Sequence, residues 1–264
     1  MTARPAESAR PVTPVAIAAD LVRSAVARLD GADPDVLADL ARAGRLLAGL
    51  DEYVGRCTTP ASSALEALEE RTRSEPWGSG LEQEMLSGHA EGAFLAMLVA
   101  ITGARDVLEI GMFTGYSALA MAEAMPAGSR LVACEVDERA AAIAREALGA
   151  APAGTLVDVR VAPALDTLRD LGAAGDRFDL VFVDADKAGY AGYLDALVDL
   201  GLLAPGAVVA VDNTLMQGEP WASATPTANG AAIAAFNARL AADPRWEQVL
   251  LPLRDGVTLA RRAG

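Results

Sequence analysis

Short apolar runs alternate with helical stretches along most of the chain after His89. Each run has the length of a strand, and each stretch that follows has apolar residues at helical spacing. This alternation predicts a parallel sheet that is covered by helices on both faces and joined by right-handed crossovers. In chain order the predicted strands are DVLEIG, LVACEV, VDVRV, FDLVFVDA and AVVAVDN.

Two further strand-like runs, WEQVLLPL and GVTLARR, close the chain on either side of Arg254-Asp255-Gly256. An Asp-Gly pair between two strands predicts a hairpin, so the last strand should run antiparallel to its neighbours. The prediction is an α/β fold with a doubly wound, Rossmann-like, mostly parallel seven-stranded sheet and an antiparallel C-terminal strand. A parallel sheet closed by such a hairpin is typical of nucleoside-dependent methyltransferases rather than dinucleotide dehydrogenases.

The region before residue 85 has a different pattern. Residues 1–14 are rich in Pro, Ala, Arg and Ser, which predicts a disordered tail. Residues 15–84 are predicted to form an N-terminal helical segment. It contains two helices between Ile17 and Leu50, broken around residues 31–34, and a third helix over residues 62–72. Residues 85–264 then form the main domain.

The composition limits the cellular context. Thirty-six acidic residues against 22 basic ones give a net charge of −14, which disfavours nucleic acid and anionic membranes as partners. Cys57 and Cys134 offer no disulfide framework, which favours a reducing compartment. The N-terminus has no secretory signal pattern, and no apolar run is expected to reach membrane-spanning length. We therefore expect a cytoplasmic protein.

The first predicted strand runs into a glycine-bearing turn and a helix start, the arrangement of a cofactor-binding loop. In this loop the backbone N–H groups around Gly111 and Met112 can hold an anion. A dinucleotide site would require G-x-G-x-x-G, but Phe113 and Tyr116 occupy the later glycine positions, which disfavours NAD. Glu135 ends the next strand, where a carboxylate can accept both ribose hydroxyls.

S-adenosylmethionine fits this loop better than NAD, because its carboxylate is a small anion and its ammonium suits an acidic neighbour. The alternative is purely structural. In that case the glycines only serve a tight turn, and Glu109 and Glu135 cap helices.

Oxygen-bearing side chains end two neighbouring predicted strands. Asp184 follows the fourth strand, and Asp212 and Asn213 follow the fifth, so all three should meet at the carboxyl edge of the sheet. Carboxylate and amide oxygens suit a hard cation such as Mg²⁺. Lys187 lies three residues after Asp184, and an ammonium beside a bound cation is pushed towards its neutral form, as a general base requires. Alternatively, the acids are structural and Lys187 is an exposed lysine at a helix start.

Several motifs together resemble the cation-dependent O-methyltransferases related to plant caffeoyl-CoA O-methyltransferase and, more distantly, catechol O-methyltransferase. The resemblance covers residues 85 to 262. The motifs are HAEGAFLAML, VLEIGMFTGYSALAMAEAMP, FVDADKAGYAGYLD, VDNTL and LAADPRWEQVLLPLRDGVTLARR.

The resemblance implies methyl transfer from S-adenosylmethionine to a hydroxyl of a catechol-like, vicinal dihydroxy aromatic acceptor in a homodimeric enzyme. It implies a divalent cation, Mg²⁺ or else Mn²⁺ or Ca²⁺, on Asp184, Asp212 and Asn213. It also implies that Lys187 is the catalytic base and that Asp184 takes part in catalysis. The implied S-adenosylmethionine contacts are Met85, Ser87, Glu109, Gly111, Met112, Ser117, Glu135, Ala164, Asp184 and Asp186.

Two departures from the family pattern concern the acceptor side. Met216-Gln217 stands where Trp-Asn is usual after DNTL, and Ala90 replaces the acid of the common A-D-E-G stretch. The plant acceptor is therefore not carried over. Residues 15–84 are expected to cover the acceptor or form dimer contacts, and the loop over residues 214–228, which contains Trp221, could cover the acceptor pocket.

Other functions stay open from the sequence. They are a metal-independent methyltransferase of the same fold, a nucleoside-binding protein without catalysis, and an NAD oxidoreductase. Tyr190 and Tyr193, at helical spacing, are interpreted as packing residues rather than catalytic ones.

Overall fold

A computed structural model describes residues 10–29, 33–78 and 80–263. Seven strands form one sheet in the order β3-β2-β1-β4-β5-β7-β6. The first five pair in parallel, and β7 is antiparallel to both β5 and β6, which confirms the predicted doubly wound sheet. The strands are β1 Asp106–Ile110, β2 Arg130–Glu135, β3 Val157–Val161, β4 Phe178–Val183, β5 Leu203–Val211, β6 Trp246–Leu251 and β7 Val257–Arg262.

Helices cover the sheet and precede it. Those before the sheet are α1 Pro14–Val26, α2 Pro34–Ala48, α3 Leu50–Cys57, α4 Ser63–Ser74 and α5 His89–Thr102. Those between strands are α6 Tyr116–Ala124, α7 Glu138–Ala150, α8 Ala164–Ala174, α9 Tyr190–Asp199, α10 Glu219–Ala222 and α11 Ala228–Ala242. Short 3₁₀ turns lie at Gln83–Met85, Pro152–Leu156, Lys187–Gly189 and Met216–Gly218.

The hydrophobic core has two halves, one on each face of the sheet. Alternation along β4 shows the division, because Leu180 and Phe182 belong to one half and Val181 and Val183 to the other. The first half packs under α4, α5, α6 and α7, and the second under α8, α9 and α11. A strand that is apolar on both faces is required for this arrangement, which explains the uninterrupted run LVFV.

The N-terminal segment departs from the prediction in two ways. Residues 1–9 of the expected disordered tail lie outside the described residues. Disorder is wrong for residues 10–14, because Arg10 forms an ion pair with Glu82 at 2.6 Å and the Thr13 side chain caps α1. The segment also contains α3 as a separate short helix, since Gly49 ends α2.

One stretch corrects the expectation that no apolar run reaches membrane-spanning length. Within the described part of the chain, the 20 residues of Gln83–Thr102 are long and apolar enough to cross a membrane by length and composition. A core helix of a globular protein can meet the same criteria. In the fold this stretch begins with a 3₁₀ turn and continues as α5, whose Leu95 and Val99 are fully buried in the core.

The chain leaves β1 and β4 side by side, and Gly111 makes this close approach possible. Ile110 lies opposite Val183 in the parallel ladder, and the Asp184 N–H donates to the Ile110 carbonyl at 2.9 Å. Gly111 has a φ of +92°, and a Cβ atom there would overlap the carbonyl group of Asp184. Any larger residue would therefore push these two loops apart.

Substitution of Gly111→Ala should lower the free energy of unfolding more than Gly128→Ala does. Both glycines have left-handed φ values, +92° and +79°, but only an added Cβ at Gly111 meets a neighbouring backbone. The left-handed conformation alone costs about 1–3 kcal/mol. Urea denaturation of both variants measures the difference, and equal losses would show that the clash with Asp184 has no cost.

Candidate active site

A cavity of about 730 Å³ opens at the carboxyl edge of the sheet. It is lined by the loops after β1, β2, β4 and β5, by residues 84–87 and by the N-terminal residues around Arg10. Ten of the predicted site residues line it: Met85, Ser87, Gly111, Glu135, Ala164, Asp184, Asp186, Lys187, Asp212 and Asn213. The other three, Glu109, Met112 and Ser117, are buried and do not line the cavity.

Glu109 is a fully buried acid next to the cofactor loop. The Ser117 hydroxyl donates to its Oε1, while its Oε2 has no hydrogen-bond partner among the described residues. Burial raises the pKa of Glu109 to about 8, although the Ser117 hydrogen bond opposes this shift. Because Glu109 does not line the cavity, its unpaired oxygen does not by itself indicate a ligand contact.

Glu135 is held by the backbone around it. Its carboxylate accepts N–H groups from Phe113 at 2.6 Å and from Val136 and Asp137 at 2.8 Å each. Burial raises the pKa of Glu135 despite these three hydrogen bonds. A carboxylate has about four acceptor positions, so one remains for a ligand hydroxyl.

The helix-capping alternative for Glu109 and Glu135 does not hold. Helix α7 is capped by Asp137, whose side chain accepts from Arg139 and Ala140, and α6 begins at Gly115 without a side-chain cap. Glu109 instead binds a serine within α6, and Glu135 joins the loop after β1 to the end of β2.

The structure brings Asp184, Asn213 and Lys187 into direct contact. Lys187 Nζ donates to Asp184 Oδ1 at 2.9 Å, to Asn213 Oδ1 at 2.6 Å and to the Tyr190 hydroxyl at 2.8 Å. Asp212 is buried beside them, and its Oδ1 has no partner among the described residues. Asn213 has a φ of +56°, a left-handed conformation that concentrates at functional sites.

The acidic and hydroxyl groups around Lys187 influence the protonation of this cluster. Burial lowers the pKa of Lys187, but the nearby Asp184, Tyr190 and Asp212 raise it by a larger amount. The pKa of Lys187 therefore lies above its ordinary value. The expectation that a bound cation lowers the pKa of Lys187 stays a prediction. Burial and the nearby Asp184 raise the pKa of Asp212 to about 6, and Lys187 opposes that shift.

No group of three or more His, Cys, Asp or Glu side chains suited to a metal ion occurs in the described ranges. The predicted ligand set consists of two carboxylates and one amide. It therefore contains only two side chains of those four types.

Sequence reasoning assigned Tyr190 and Tyr193 to packing alone, but their hydroxyl groups also enter the site. Tyr190 is fully buried, packs edge-on against Phe236 and donates to the Asp212 carbonyl at 3.0 Å. The Tyr193 hydroxyl donates to Asp186 Oδ1. The spacing in the sequence could have indicated these contacts. Tyr190 is three residues after Lys187 and Tyr193 is seven after Asp186, and residues at these spacings lie on the same face of a helix.

Two charged residues at the cavity were not predicted as site residues. Glu91, in the first turn of α5, is 2% exposed, and its Oε1 has no partner among the described residues. Its Oε2 lies 3.8 Å from Nη1 of Arg254. Burial and the charge of Asp212 raise the pKa of Glu91 well above its ordinary value. The sequence contains one indication of a role for Glu91, since it is the single acidic residue in the apolar segment HAEGAFLAML.

The loop after β5 is bound to the turn between β6 and β7. The Leu215 N–H donates to the Asp255 carbonyl at 2.8 Å, and the Gln217 N–H donates to Asp255 Oδ1 at 2.6 Å. Met216 and Gln217 both have left-handed φ values and line the cavity. The 62% exposed Trp221 lies beyond them in α10 and is not among the cavity-lining residues.

Comparison with known proteins now adds to this geometry. A family model described as O-methyltransferase matches residues 56–263. The chain belongs to the O-methyltransferase family. Caffeoyl-CoA O-methyltransferase 2 of Zea mays is 36% identical over 213 residues, which cover 75% of this chain and 76% of the maize protein. Caffeoyl-CoA O-methyltransferase of Petroselinum crispum is also 36% identical, over 75% of this chain and 83% of its own length.

Solved structures of O-methyltransferases have the same fold. The S-adenosylhomocysteine-bound methyltransferase of Podospora anserina has a TM-score of 0.74 and 30% identity, over 83% of this chain and 96% of its own. The S-adenosylmethionine complex of the enzyme TomG from Streptomyces achromogenes, involved in tomaymycin synthesis, has a TM-score of 0.70 and 31% identity, over 82% and 96%. The protein is therefore an S-adenosylmethionine-dependent O-methyltransferase of the caffeoyl-CoA O-methyltransferase type.

The stability of this O-methyltransferase should fall between about pH 4 and pH 7 through Asp255. Burial raises the pKa of this carboxyl from 3.8 to about 7, although the Gln217 N–H opposes the shift. The unfolded chain then releases the proton near pH 4, while the folded protein keeps it until about pH 7. Stability attributable to this group is therefore highest at low pH and is lost as the pH rises.

Asp255→Asn should remove this loss while its Oδ1 still accepts the Gln217 N–H. We expect the free energy of unfolding of the variant, relative to that of the original protein, to rise from pH 4 to pH 8. Urea denaturation at pH 4, 6 and 8 measures this difference, with Asp158→Asn, a half-exposed carboxyl on the edge strand β3, as the control. A difference that does not change with pH would contradict the assignment.

Proposed function

We propose that this enzyme is divalent-metal-dependent and methylates a hydroxyl of a catechol-like, vicinal dihydroxy aromatic acceptor. The observation that carries the proposal is the buried Asp212 Oδ1, which has no partner among the described residues and lies beside Asp184 and Asn213. An unpaired carboxylate oxygen in a buried position is costly unless a ligand binds it.

The donor set fits a hard cation. Asp184, Asp212 and Asn213 offer only oxygen atoms, which suits Mg²⁺, Mn²⁺ or Ca²⁺ rather than a softer metal. A bound cation would lower the pKa of a coordinated acceptor hydroxyl. The relatives named caffeoyl-CoA O-methyltransferase support a phenolic acceptor. In this chain the cavity is lined by Met216 and Gln217, which replace the Trp-Asn pair usual in the family, so the acceptor can differ from that of the plant enzymes.

Lys187 is proposed as the base for the acceptor hydroxyl. Its Nζ lies at the cavity, and Tyr190 holds it in place through a hydrogen bond. Although burial lowers the pKa of Lys187, the nearby Asp184, Tyr190 and Asp212 raise it by more. A cation bound to Asp184 and Asp212 would offset their negative charge and lower the pKa of Lys187, so that Nζ could take the acceptor proton. The acceptor oxygen would then bond to the methyl carbon of S-adenosylmethionine as the bond from that carbon to sulfur breaks, and S-adenosylhomocysteine would leave.

The cofactor is proposed to lie against the loop after β1 and the end of β2. Glu135 faces the cavity with its orientation fixed by three backbone N–H groups, as a ribose-binding carboxylate requires. Asp186 is oriented by the Tyr193 hydroxyl on the neighbouring part of the same wall. Rigid placement of both substrates supplies much of the rate in a direct methyl transfer.

One observation favours a second candidate, a metal-independent methyltransferase of the same fold. Lys187 already binds the oxygens of Asp184 and Asn213, so this part of the cluster is satisfied without a cation. A cytoplasmic homodimer that binds neither nucleic acid nor membranes stays a prediction for either candidate.

Chelation should separate the two candidates. If the first is correct, EDTA abolishes methylation of a catechol, and added Mg²⁺ restores it. Asp212→Asn should weaken Mn²⁺ binding, measured by calorimetry, at least about 10-fold, because a charged ligand is lost. Asp158→Asn, on the edge strand β3 and outside the cavity lining, is the matched control and should bind Mn²⁺ as the original protein does. Full activity in EDTA would support the metal-independent enzyme.

Lys187→Met should lower kcat by about 100-fold or more, the usual contribution of a general base, while the dissociation constant of S-adenosylhomocysteine stays the same. Single-turnover methylation and calorimetry measure the two effects. Unchanged kcat would remove Lys187 from the catalytic step.

A further inference from the structure

Arg254 differs from the other cations at the cavity. Within the described residues, three basic side chains line it: Arg10, Lys187 and Arg254. Arg10 donates from its guanidinium to Glu82 at 2.6 and 3.0 Å, and Lys187 is bound by Asp184 and Asn213. The guanidinium of Arg254 has an ionic neighbour, Glu91, at 3.8 Å, but no hydrogen bond to a described residue.

The backbone at Arg254 is also unusual for an arginine. Its φ is +50°, a left-handed conformation in a hairpin turn, where glycine or asparagine is favoured. Non-glycine residues in this region are strained, and such strain concentrates at functional sites. An arginine at this position is therefore explained by what its side chain does.

The surrounding contacts place Arg254 beside the loop that follows Asn213. The adjacent Asp255 binds the backbone of Leu215 and Gln217, so the turn is fixed against the loop that follows Asn213. Glu91, which neighbours the guanidinium, and the candidate metal ligand Asp212 are both buried, and both line the same cavity as Arg254.

We propose that Arg254 binds a carboxylate on the acceptor and makes the enzyme prefer acidic acceptors. A guanidinium presents paired N–H donors that match the two oxygens of a carboxylate. The acidic neighbours of the guanidinium are Glu91, at 3.8 Å, and the adjacent residue Asp255, so the favourable position for a carboxylate of the acceptor is at the guanidinium itself. This inference rests on the proposed catechol methylation, and it narrows the acceptor class to free aromatic acids with adjacent ring hydroxyls.

The test compares 3,4-dihydroxybenzoate with its methyl ester as acceptors. We expect the original enzyme to have the higher kcat/KM for the acid. Arg254→Gln should raise the KM for the acid about 10- to 100-fold, the effect of a lost hydrogen bond between charged groups, and leave the ester unchanged. Arg254→Gly should do the same, and glycine suits the left-handed turn, so loss of folding does not obscure the result. Arg261→Gln, on the same hairpin and paired with Glu247, is the matched control and should keep the preference.

Binding distinguishes failure of this inference from failure of the proposed function. Calorimetry measures the affinity of both compounds for the S-adenosylhomocysteine complex without metal. If the acid binds through Arg254 but neither compound is methylated, the inference holds and the catechol function fails. If both compounds are methylated equally, or if the Arg254 variants lower activity on both alike, the inference is overturned and the function stands. If neither compound binds or reacts, both are overturned.

Discussion

The register of three neighbouring parallel strands, β1, β4 and β5, sets the positions of the groups around the cavity. Ile110 lies opposite Val183, and Val183 lies opposite Val211, so the chain leaves the sheet at one level in all three strands. The loops that follow must then share one small volume. Gly111 provides the close backbone approach on one side, and the left-handed Asn213 turns the chain on the other.

The sheet was predictable because both of its faces are covered. Strands such as LVFV in β4 must be apolar on each side, and the resulting runs are visible in the sequence. The Asp-Gly turn likewise indicated the final hairpin. The separate helix α3 was not foreseen, because the break at Gly49 is a single residue within a continuous helical pattern, and nothing in α3 is buried.

Part of the site was predictable from the ends of the strands. The carboxyl ends of parallel strands lie at the same edge of a sheet, however far apart the strands are in the sequence. Asp184, Glu135 and Asn213 follow from this rule, and all line the cavity. Glu91 and Arg254 do not follow from it. Glu91 comes from a helix before the sheet and Arg254 from a hairpin after it, and only the folded chain reveals that they are 3.8 Å apart. The hydrogen bonds of the Tyr190 and Tyr193 hydroxyl groups were also not predictable from the sequence. A tyrosine that only packs in the core and one that also forms a hydrogen bond have the same spacing along a helix.

Lys187 balances charge in a cluster that would otherwise repel itself. Asp184 and Asp212 raise each other's energy when both are ionised in a buried position, and the ammonium offsets this repulsion. The same oxygens are those that a cation would need. In the proposed metal-dependent enzyme, a cation would therefore compete with the lysine for the same oxygen atoms.

The attachment of the loop after β5 to the hairpin turn has a consequence for how this protein can change over evolution. The loop is held by its own backbone N–H groups, through Asp255, and not by the side chains of Met216 or Gln217. Those side chains can be exchanged while the path of the chain stays the same. The shape of this part of the cavity wall is in this way separated from the scaffold, so it can change while the loops after β1 and β2 stay as they are.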